Sequence, residues 1–550
     1  MATQTGQPIL ILREGASETK GRSAQRNNIQ AAKLIADIVK TSLGPRGMDK
    51  MLVDSMGDVT ITNDGATILK EIDVQHPAAK MIIEISKTTD QEVGDGTTSA
   101  TVLAGAFLEQ AEELIDKDVH PTVIVDGYQE AEAQALKILG EISIKIQPDD
   151  AASLVKIAKT SLRSKLVADE SESLAKIAVD AILAIAEKKT KGMSVDIDNV
   201  KVEKKPGGSI RETSLIRGIV LDKEVVHTGM PKRVENAKIA LVDSALEIEK
   251  TEISAEIRIN SPEQMKSFMD EENRMLKGMA EKVAQSGANV IICQKGIDDI
   301  AQHYLAKQGI LAVRRAKQSD MTKLAKATGG RVVSNLEELS ADDLGNAALV
   351  EERKLEEDKW VFVEGCKNPK AVSILVRGGS QRIVDEAERS IHDALMVVKD
   401  VVEKPAIVAG GGAPEAHMAQ EIRRWAATLS GRRQLAAQKF ADALEAIPLA
   451  LAENAGMDTI DTLVQLRAAQ GEGKTWSGVD VLAGKVGDMY TQDVIEPVAV
   501  KEQIIKSATE AACMIIRIDD VIASSKMKEP AAPPGGMGGM GGMGGMPGMM

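Results

Sequence analysis

The two ends of this sequence resemble each other more than either resembles the middle. Up to about residue 189, and again from about residue 378 to residue 522, alanine-rich segments carry apolar residues three and four positions apart. That spacing predicts helices. Between about residues 218 and 369, short apolar strands alternate with helical stretches, which favours a separate α/β domain. The pattern therefore predicts an α/β domain inserted into a helical part whose two halves flank it.

The length of 550 residues is too great for a single core, and about 150 residues per domain predicts three or four domains. Hydrophobic residues make up 43% of the chain, but aromatic residues only 2%. The cores are therefore expected to be aliphatic and built from Ala, Val, Ile and Leu.

The formal charge of -14 argues against a nucleic-acid surface, because affinity for nucleic acid comes mainly from Lys and Arg on phosphates. No apolar run approaches the roughly 18 residues of a membrane span, and residues 1–8 lack the apolar core of a signal peptide. Cys293, Cys366 and Cys513 are too widely spaced to indicate a zinc site or a disulfide framework. We therefore expect a cytoplasmic protein that binds no nucleic acid and spans no membrane.

The most informative local motif is the run Gly94-Asp95-Gly96-Thr97-Thr98, which precedes an apolar stretch typical of a buried helix. Glycines allow a tight turn and a close approach to a ligand, and a carboxylate suits magnesium. The N-terminus of a helix attracts anions such as phosphate. The run therefore predicts a magnesium–phosphate site, with an ordinary loop-to-helix turn as the alternative.

Two other glycine-containing turns could contribute to such a site, although the chain has no P-loop motif. The turn Leu43-Gly44-Pro45 follows a helix predicted over residues 27–43, and it could simply end that helix. The run Gly410-Gly411-Gly412 precedes another helix and could let the backbone approach a ligand.

Three charged residues are candidates with simple alternatives. Asp64 lies in an Asn-Asp-Gly turn, which turn chemistry alone explains. Asp393 lies off the apolar stripe of its helix, which predicts a solvated face, and Lys165 could be one more exposed lysine.

A capped helix is predicted after Ser261, because Pro262 and Gln264 occupy the positions typical of a helix N-terminus. Its Met and Phe residues follow helical spacing to about residue 285, so the helix either covers a core or protrudes toward partners. The Gly-Gly-Met repeats near the C-terminus predict a flexible tether, with a Met-rich binding strip as the alternative.

Four of these segments, in this order, resemble the group II chaperonins, and most closely the archaeal thermosome branch. They are residues 41–51, 62–67, 94–99 and 409–412, and the resemblance covers essentially the whole chain. It implies a multidomain α/β chaperonin fold with a mostly helical equatorial domain, a small intermediate hinge domain and an α/β apical domain with a helical protrusion.

The resemblance also implies domain boundaries. The equatorial domain would comprise residues 1–150 and 405–526, and the intermediate domain residues 151–217 and 370–404. The apical domain would comprise residues 218–369, with the protrusion at about 245–280, and residues 527–550 would be the flexible tail.

The resemblance further implies that the chain binds ATP and Mg²⁺. Asp95 would bind the magnesium, and Asp64 and Asp393 would orient and activate the attacking water. Lys165 would sense the γ-phosphate. The other residues expected to contact the nucleotide are Leu43, Gly44, Pro45, Gly96, Thr97, Thr98, Ser99, Ser164, Gly411, Gly412 and Glu496.

Among these nucleotide contacts, Gly411 is expected near the ribose and Glu496 is expected to contact it. The adenine contacts are expected in the neighbourhood of residues 480–486.

The implied function is an ATP-driven chaperone that encloses non-native polypeptides in a double ring with a built-in lid. Its partners would be identical or paralogous subunits in two stacked rings of eight or nine. Two other functions remain open from the residues alone. A small-molecule kinase would need an acceptor pocket that no second group of polar residues suggests, and an ATP-dependent scaffold would bind partners through Met-rich surfaces.

Overall fold

The computed structural model of the protein describes residues 17–190, 192–248, 261–366 and 369–523. Within these ranges, no helix combines the length and the apolar character needed to cross a membrane. The described residues fall into two compact units, one comprising residues 28–517 and the other the segments 17–27 and 518–523.

The N-terminal part is mostly helical, with helices and strands numbered here in chain order. Its elements are β1 (Ser17–Lys20), α1 (Gly21–Lys40), β2 (Lys50–Val53), β3 (Val59–Thr62), α2 (Gly65–Glu71), α3 (Pro77–Val93), α4 (Thr97–Asp116), α5 (Pro121–Ile142) and β4 (Ile144–Lys145). Helix α1 begins six residues before the predicted start at residue 27. Its first turns are polar and carry no apolar repeat, so the spacing of apolar residues does not reveal them.

Two helices and four short strands come next. They are α6 (Ala151–Leu162), α7 (Ser171–Ile185), β5 (Glu187–Lys189), β6 (Gly192–Ser194), β7 (Val200–Pro206) and β8 (Ser214–Ile216).

The middle of the chain alternates strands and helices, as the sequence predicts. Its elements are β9 (Gly218–Leu221), β10 (Arg233–Val242), α8 (Pro262–Gln285), β11 (Val290–Cys293), α9 (Asp299–Lys307), β12 (Leu311–Val313), α10 (Gln318–Thr328), β13 (Val332–Val333), β14 (Gly345–Leu355) and β15 (Asp358–Glu364). Six of the strands form one sheet in the order β12-β11-β10-β14-β15-β9, and β13 also pairs with β10. Helices α8, α9 and α10 contribute side chains to the core of this sheet.

The remainder returns to helices with a few short strands. Its elements are β16 (Val372–Gly378), α11 (Gln381–Glu403), β17 (Ala406–Ala409), α12 (Ala413–Ala426), α13 (Arg432–Leu444), α14 (Ala446–Asn454), α15 (Thr459–Gly471), β18 (Ser477–Asp480), β19 (Lys485–Asp488), β20 (Ile495–Pro497), α16 (Val498–Ile516) and β21 (Asp520–Ala523). Strand β21 pairs with β1, β16 lies between β7 and β8, and β17 lies between β20 and β4.

Helices from the two ends of the chain share one core, in which α4 and α5 pack against α13 and α16. Three aromatic rings meet there, and the centroids of Phe107 and Phe440 lie 4.4 Å apart. The Tyr128 ring lies 5.6 Å from each of them, and its hydroxyl donates a hydrogen bond to the Phe107 carbonyl. The rest of this core is predominantly aliphatic. The predicted multidomain α/β fold is confirmed, while the domain boundaries stay a prediction.

Helix α8 begins as predicted, because the Ser261 hydroxyl accepts a hydrogen bond from the Gln264 backbone N–H. Its two halves have different surroundings. In the N-terminal half Met265 and Met269 are about half exposed, whereas further along Leu276 and Val283 are buried. The apolar side chains at the start of the helix therefore do not belong to a core within the described residues.

The shared core predicts a large effect of removing its central ring. Phe440→Ala should lower the free energy of unfolding by about 3–5 kcal/mol, because it leaves a cavity between α4, α5 and α13. Guanidinium unfolding of the full chain followed by circular dichroism measures this change. Leu435→Ala on the same helix is the control, since Leu435 is 44% exposed. Equal effects of the two substitutions would contradict a shared core.

Candidate functional site

The loop between α3 and α4 presents a helix N-terminus. Gly96 is the N-cap of α4 and has a φ of 81°, in the left-handed region that favours glycine. A Cβ at this position would lie 2.6 Å from Ile504 Cδ1 on α16, so a larger residue does not fit. The first backbone N–H groups of a helix have no partner within the helix and are well placed to bind an anion. In α4 these groups belong to Thr97, Thr98 and Ser99.

Asp95 is held beside this helix terminus by two hydrogen bonds. One carboxylate oxygen accepts from the Gly96 N–H at 2.6 Å, and the other accepts from the Ser161 hydroxyl at 2.7 Å. Ser161 lies on α6 and is buried. The position of Asp95 is therefore determined both by its own loop and by a helix 66 residues further along the chain.

A second group of charges comes from three separate segments. The ammonium of Lys165, in the turn after α6, lies 2.7 Å from an Asp393 oxygen and 3.6 Å from an Asp64 oxygen. Asp64 is also the N-cap of α2, where its other oxygen accepts hydrogen bonds from the N–H and the hydroxyl of Thr67. Turn chemistry therefore accounts for one oxygen of Asp64, and the other oxygen contacts Lys165.

Two of the simple alternatives drawn from the sequence are wrong. The side chains of Asp393 and Lys165 are only 10% and 9% exposed, so neither lies on a solvated face. The reason is that α11 packs closely on the loop before α4, where a Cβ at Gly94 would lie 2.3 Å from Met396 Cβ. Asp393 lies about one turn before Met396 and is therefore directed at Lys165.

Burial and neighbouring charges shift the pKa values of these three groups in different directions. Burial opposes ionisation of Asp64, but the Lys165 charge and the hydrogen bonds from Thr67 outweigh it and lower its pKa. Burial raises the pKa of Asp393 well above its ordinary value, and Asp64 and Asp95 add to this shift despite Lys165. Burial disfavours the charged form of Lys165, but the three carboxylates hold its pKa well above the usual range.

An adjoining cavity of about 750 Å³ is large enough for a small-molecule ligand. Ten of the predicted nucleotide and metal contacts line it: Leu43, Gly44, Pro45, Asp95, Gly96, Ser99, Ser164, Gly411, Gly412 and Glu496. Both ends of the chain therefore contribute to its wall. The amide of Asn454, at the end of α14, holds them together by donating hydrogen bonds to the carbonyls of Lys40 and Leu43.

The other five predicted site residues lie outside this lining: Asp64, Thr97, Thr98, Lys165 and Asp393. Two contacts place the residues on either side of Asp64 next to the cavity wall. The amide of Asn63 donates a hydrogen bond to the Ser164 carbonyl at 2.6 Å. A Cβ at Gly65 would lie 2.4 Å from the Thr98 hydroxyl oxygen, so α2 and α4 meet closely beside the charged group.

The cavity wall also contains residues that sequence reasoning missed. The predicted adenine neighbourhood reaches it through residues 480–483 and not through residues 484–486. Its apolar lining includes Ile447, Leu451 and Ile504, and Lys501 also lines it. None of these belongs to a motif, because apolar spacing on a helix does not distinguish a core face from a ligand face.

The arrangement suits a magnesium-bound phosphate. Three carboxylates, Asp64, Asp95 and Asp393, face the single ammonium of Lys165, which leaves two negative charges in excess when all are ionised. Among the described residues, no three His, Cys, Asp or Glu side chains are grouped so that they could hold a metal alone. Magnesium typically takes one or two carboxylates and completes its shell with phosphate and water, so Asp95 fits that role.

Comparisons with known proteins agree with the resemblance. The model of the TCP-1/cpn60 chaperonin family matches residues 35–526. Thermosome subunit alpha of Archaeoglobus fulgidus is 58% identical over 535 residues, covering 97% of this chain and 98% of that protein. Thermosome subunit beta of the same organism is 59% identical over 529 residues, covering 96% and 97%. A thermosome subunit of Pyrococcus horikoshii is 57% identical over 537 residues, covering 98% of each.

The charged group predicts a pH-dependent stability defect. Lys165→Met should destabilise the protein by about 3–5 kcal/mol at pH 8, because it leaves buried carboxylates without their cation. In this variant the pKa of Asp393 in the folded state would rise further above its unfolded value, because burial already raises it and Lys165 no longer opposes that shift. Protons then bind the folded state more tightly, and the defect shrinks as the pH falls through that pKa.

Denaturant unfolding at pH 8 and pH 5.5 measures this difference. Lys176→Met is the matched control, since Lys176 is 60% exposed and pairs with Glu172 on the surface. Its effect should stay within about 0.5 kcal/mol at both pH values. A Lys165→Met defect of the same size at both pH values would contradict the assigned electrostatics.

Proposed function

Because this chain belongs to the TCP-1/cpn60 chaperonin family, we propose that it is an ATP-dependent chaperone that encloses non-native polypeptides. One observation carries the ATP dependence. The N-terminus of α4 and Asp95 meet a cavity of about 750 Å³ beside the buried group of Lys165, Asp64 and Asp393. A phosphate-binding terminus, a magnesium donor and a candidate base are therefore adjacent.

In the proposed complex the triphosphate lies against the first turn of α4. The N–H groups and hydroxyls of Thr97, Thr98 and Ser99 donate to phosphate oxygens, and the positive end of the helix dipole favours the same charge. Asp95 binds the magnesium ion, which when bound neutralises charge on the phosphates. Gly411, Gly412 and the loop formed by Leu43, Gly44 and Pro45 enclose the nucleotide on either side.

The water that attacks the γ-phosphate would be oriented by Asp64 and would give its proton to Asp393. A raised pKa makes a carboxylate a better proton acceptor near neutral pH, and the pKa of Asp393 is raised by burial. Lys165 contacts both carboxylates and is therefore placed to respond to the γ-phosphate. Such positioning supplies most of the catalysis of phosphoryl transfer.

Coupling of hydrolysis to movement follows from where these residues lie. Asp64 and Asp393 belong to the equatorial and intermediate domains proposed from the resemblance, and both contact Lys165. Opening of the hinge between those domains would withdraw Asp393 and stop turnover. We therefore propose that hydrolysis requires the arrangement in which Asp64 and Asp393 both contact Lys165.

Capture of non-native polypeptide is assigned to the apical domain. Met265, Phe268 and Met269 on α8 are at least 39% exposed, and adaptable Met side chains suit varied partners. We propose that this half of α8 belongs to the built-in lid. Residues 249–260 of the predicted protrusion and the predicted tail at 527–550 lie outside the described residues.

We further propose assembly into two stacked rings of eight or nine subunits. The naming of alpha and beta subunits among its relatives supports rings of identical or paralogous chains. A cytoplasmic location belongs to the same proposal. It is supported by the three cysteines, Cys293, Cys366 and Cys513, which are buried and form no disulfide.

The assigned base predicts a separation of binding from turnover. Asp393→Ala should lower the ATPase rate by about 10²–10⁴-fold, the contribution typical of a general base. Binding of ATP should stay nearly unchanged, because Asp393 lies outside the lining of the cavity. Steady-state phosphate release and calorimetric ATP binding measure the two quantities.

Asp385→Ala is the control for this test, because Asp385 lies on the same helix and pairs with Lys204 away from the site. It should hydrolyse ATP at the wild-type rate. Normal turnover by Asp393→Ala would refute the assignment of the base, and a wild-type chain without ATPase activity would refute the proposed function.

A further inference from the structure

One lysine is buried on the wall of the cavity between two glutamates. The Lys501 ammonium lies 2.8 Å from a Glu415 oxygen and 2.6 Å from a Glu496 oxygen. The side chains of Lys501 and Glu415 are only 4% and 3% exposed. The three residues come from α16, α12 and β20, so the contact joins three elements around the ligand cavity.

Stability alone gives no reason for a lysine at this position. Lys501 lies in the first turns of α16, where the helix dipole disfavours a positive charge. A buried ion pair is also typically no more stabilising than well-packed apolar residues of similar volume. The cost of burying this ammonium therefore indicates that its charge serves the site.

Glu496 is the most exposed member of the group. Its side chain is 26% exposed, and it lines the cavity. One carboxylate oxygen contacts Lys501, and the other would lie 2.5 Å from a Cβ at Gly410, where only glycine leaves room for it. Within the described part of the chain, no residue donates a hydrogen bond to that second oxygen.

Glu415 is the anchor for Lys501. It lies in the first turn of α12, where the helix dipole favours a negative charge. One of its oxygens accepts a hydrogen bond from Lys501. The Lys501 charge is thus fixed from one side while it faces Glu496 on the other.

Glu496 is the ribose contact that the resemblance implies. We propose that Lys501 is a positioning residue that holds Glu496 to accept hydrogen bonds from the ribose hydroxyls of ATP, so that the site prefers ribonucleotides to 2′-deoxyribonucleotides. This inference rests on the proposed function, since it deepens the assignment of the same cavity to ATP. Acidic side chains recognise ribose hydroxyls in this way at other nucleotide sites.

The charges around Glu496 explain why it needs a cation. Burial raises the pKa of Glu496, and Glu415 and Asp95 add to that shift, whereas Lys501 opposes it. Without Lys501 the carboxylate would gain a proton or turn away from Glu415. Either change removes a charged acceptor from the ribose and leaves the phosphate contacts intact.

The test is calorimetric binding of Mg·ATP and Mg·2′-deoxyATP to the full-length protein. Wild type should bind ATP about tenfold more tightly, since a hydrogen bond to a charged acceptor is lost with the 2′-hydroxyl. In Lys501→Met the affinity for ATP should fall about tenfold and that for 2′-deoxyATP less than about threefold, so that the preference for ATP falls from about tenfold to less than about threefold. Adding Glu496→Gln to this variant should then have little further effect.

Two further variants complete the test. Lys506→Met, an exposed lysine on the same helix, should keep the wild-type preference. The double variant Lys501→Met with Glu415→Gln has no unpaired buried carboxylate at position 415, so it can replace the single variant if that one fails to fold. It should also lose the preference for ATP.

If Lys501→Met loses the same factor of affinity for ATP and for 2′-deoxyATP, then Lys501 contacts the phosphates or only supports the fold. That result would overturn the inference. An unchanged preference would overturn it too. A wild-type chain that binds neither nucleotide would refute the proposed ATP function, and this inference with it. Wild-type binding with an unaltered preference in the variants would refute only the inference.

Discussion

Packing between the two ends of the chain is the constraint on which the rest of the structure depends. Helix α16 from the C-terminal part lies against α4, and its Ile504 fills the space beside Gly96. The loop containing Gly44 is held by Asn454 at the end of α14. The walls of the cavity therefore exist only when residues some four hundred positions apart have come together. Because the core is aliphatic, this association depends on large buried areas rather than on a few aromatic contacts.

The buried charges beside the cavity are costly to remove from water. Lys165 forms ion pairs with both Asp64 and Asp393, so two carboxylates share one cation. A folded domain built for stability alone would replace such a group with apolar residues. The same argument applies to Lys501, which lies between two glutamates on the cavity wall. In both cases a divalent ion or a nucleotide would satisfy what the protein leaves unsatisfied.

Local features of the site could be predicted from the sequence, and long-range ones could not. The loop around Asp95 was found because its glycines, carboxylate and helix start are neighbours in the chain. The burial of Asp393 does not follow from the sequence, because helical spacing places this residue off the apolar stripe of its helix. Its partner Lys165 is more than two hundred positions away in the chain, so no local pattern connects the two. The first turns of α1 were missed for the lack of an apolar repeat. Lys501 carried no motif, and only its contacts in the fold distinguish it from a surface lysine.

The most direct test of this account is a cryo-electron microscopy map of the full-length protein with magnesium and a non-hydrolysable ATP analogue. We expect a stacked double ring in which the triphosphate lies on the N-terminus of α4, the metal contacts Asp95, and Asp393 faces the γ-phosphate. A monomeric or dimeric particle, or a nucleotide bound away from the α4 terminus, would contradict it.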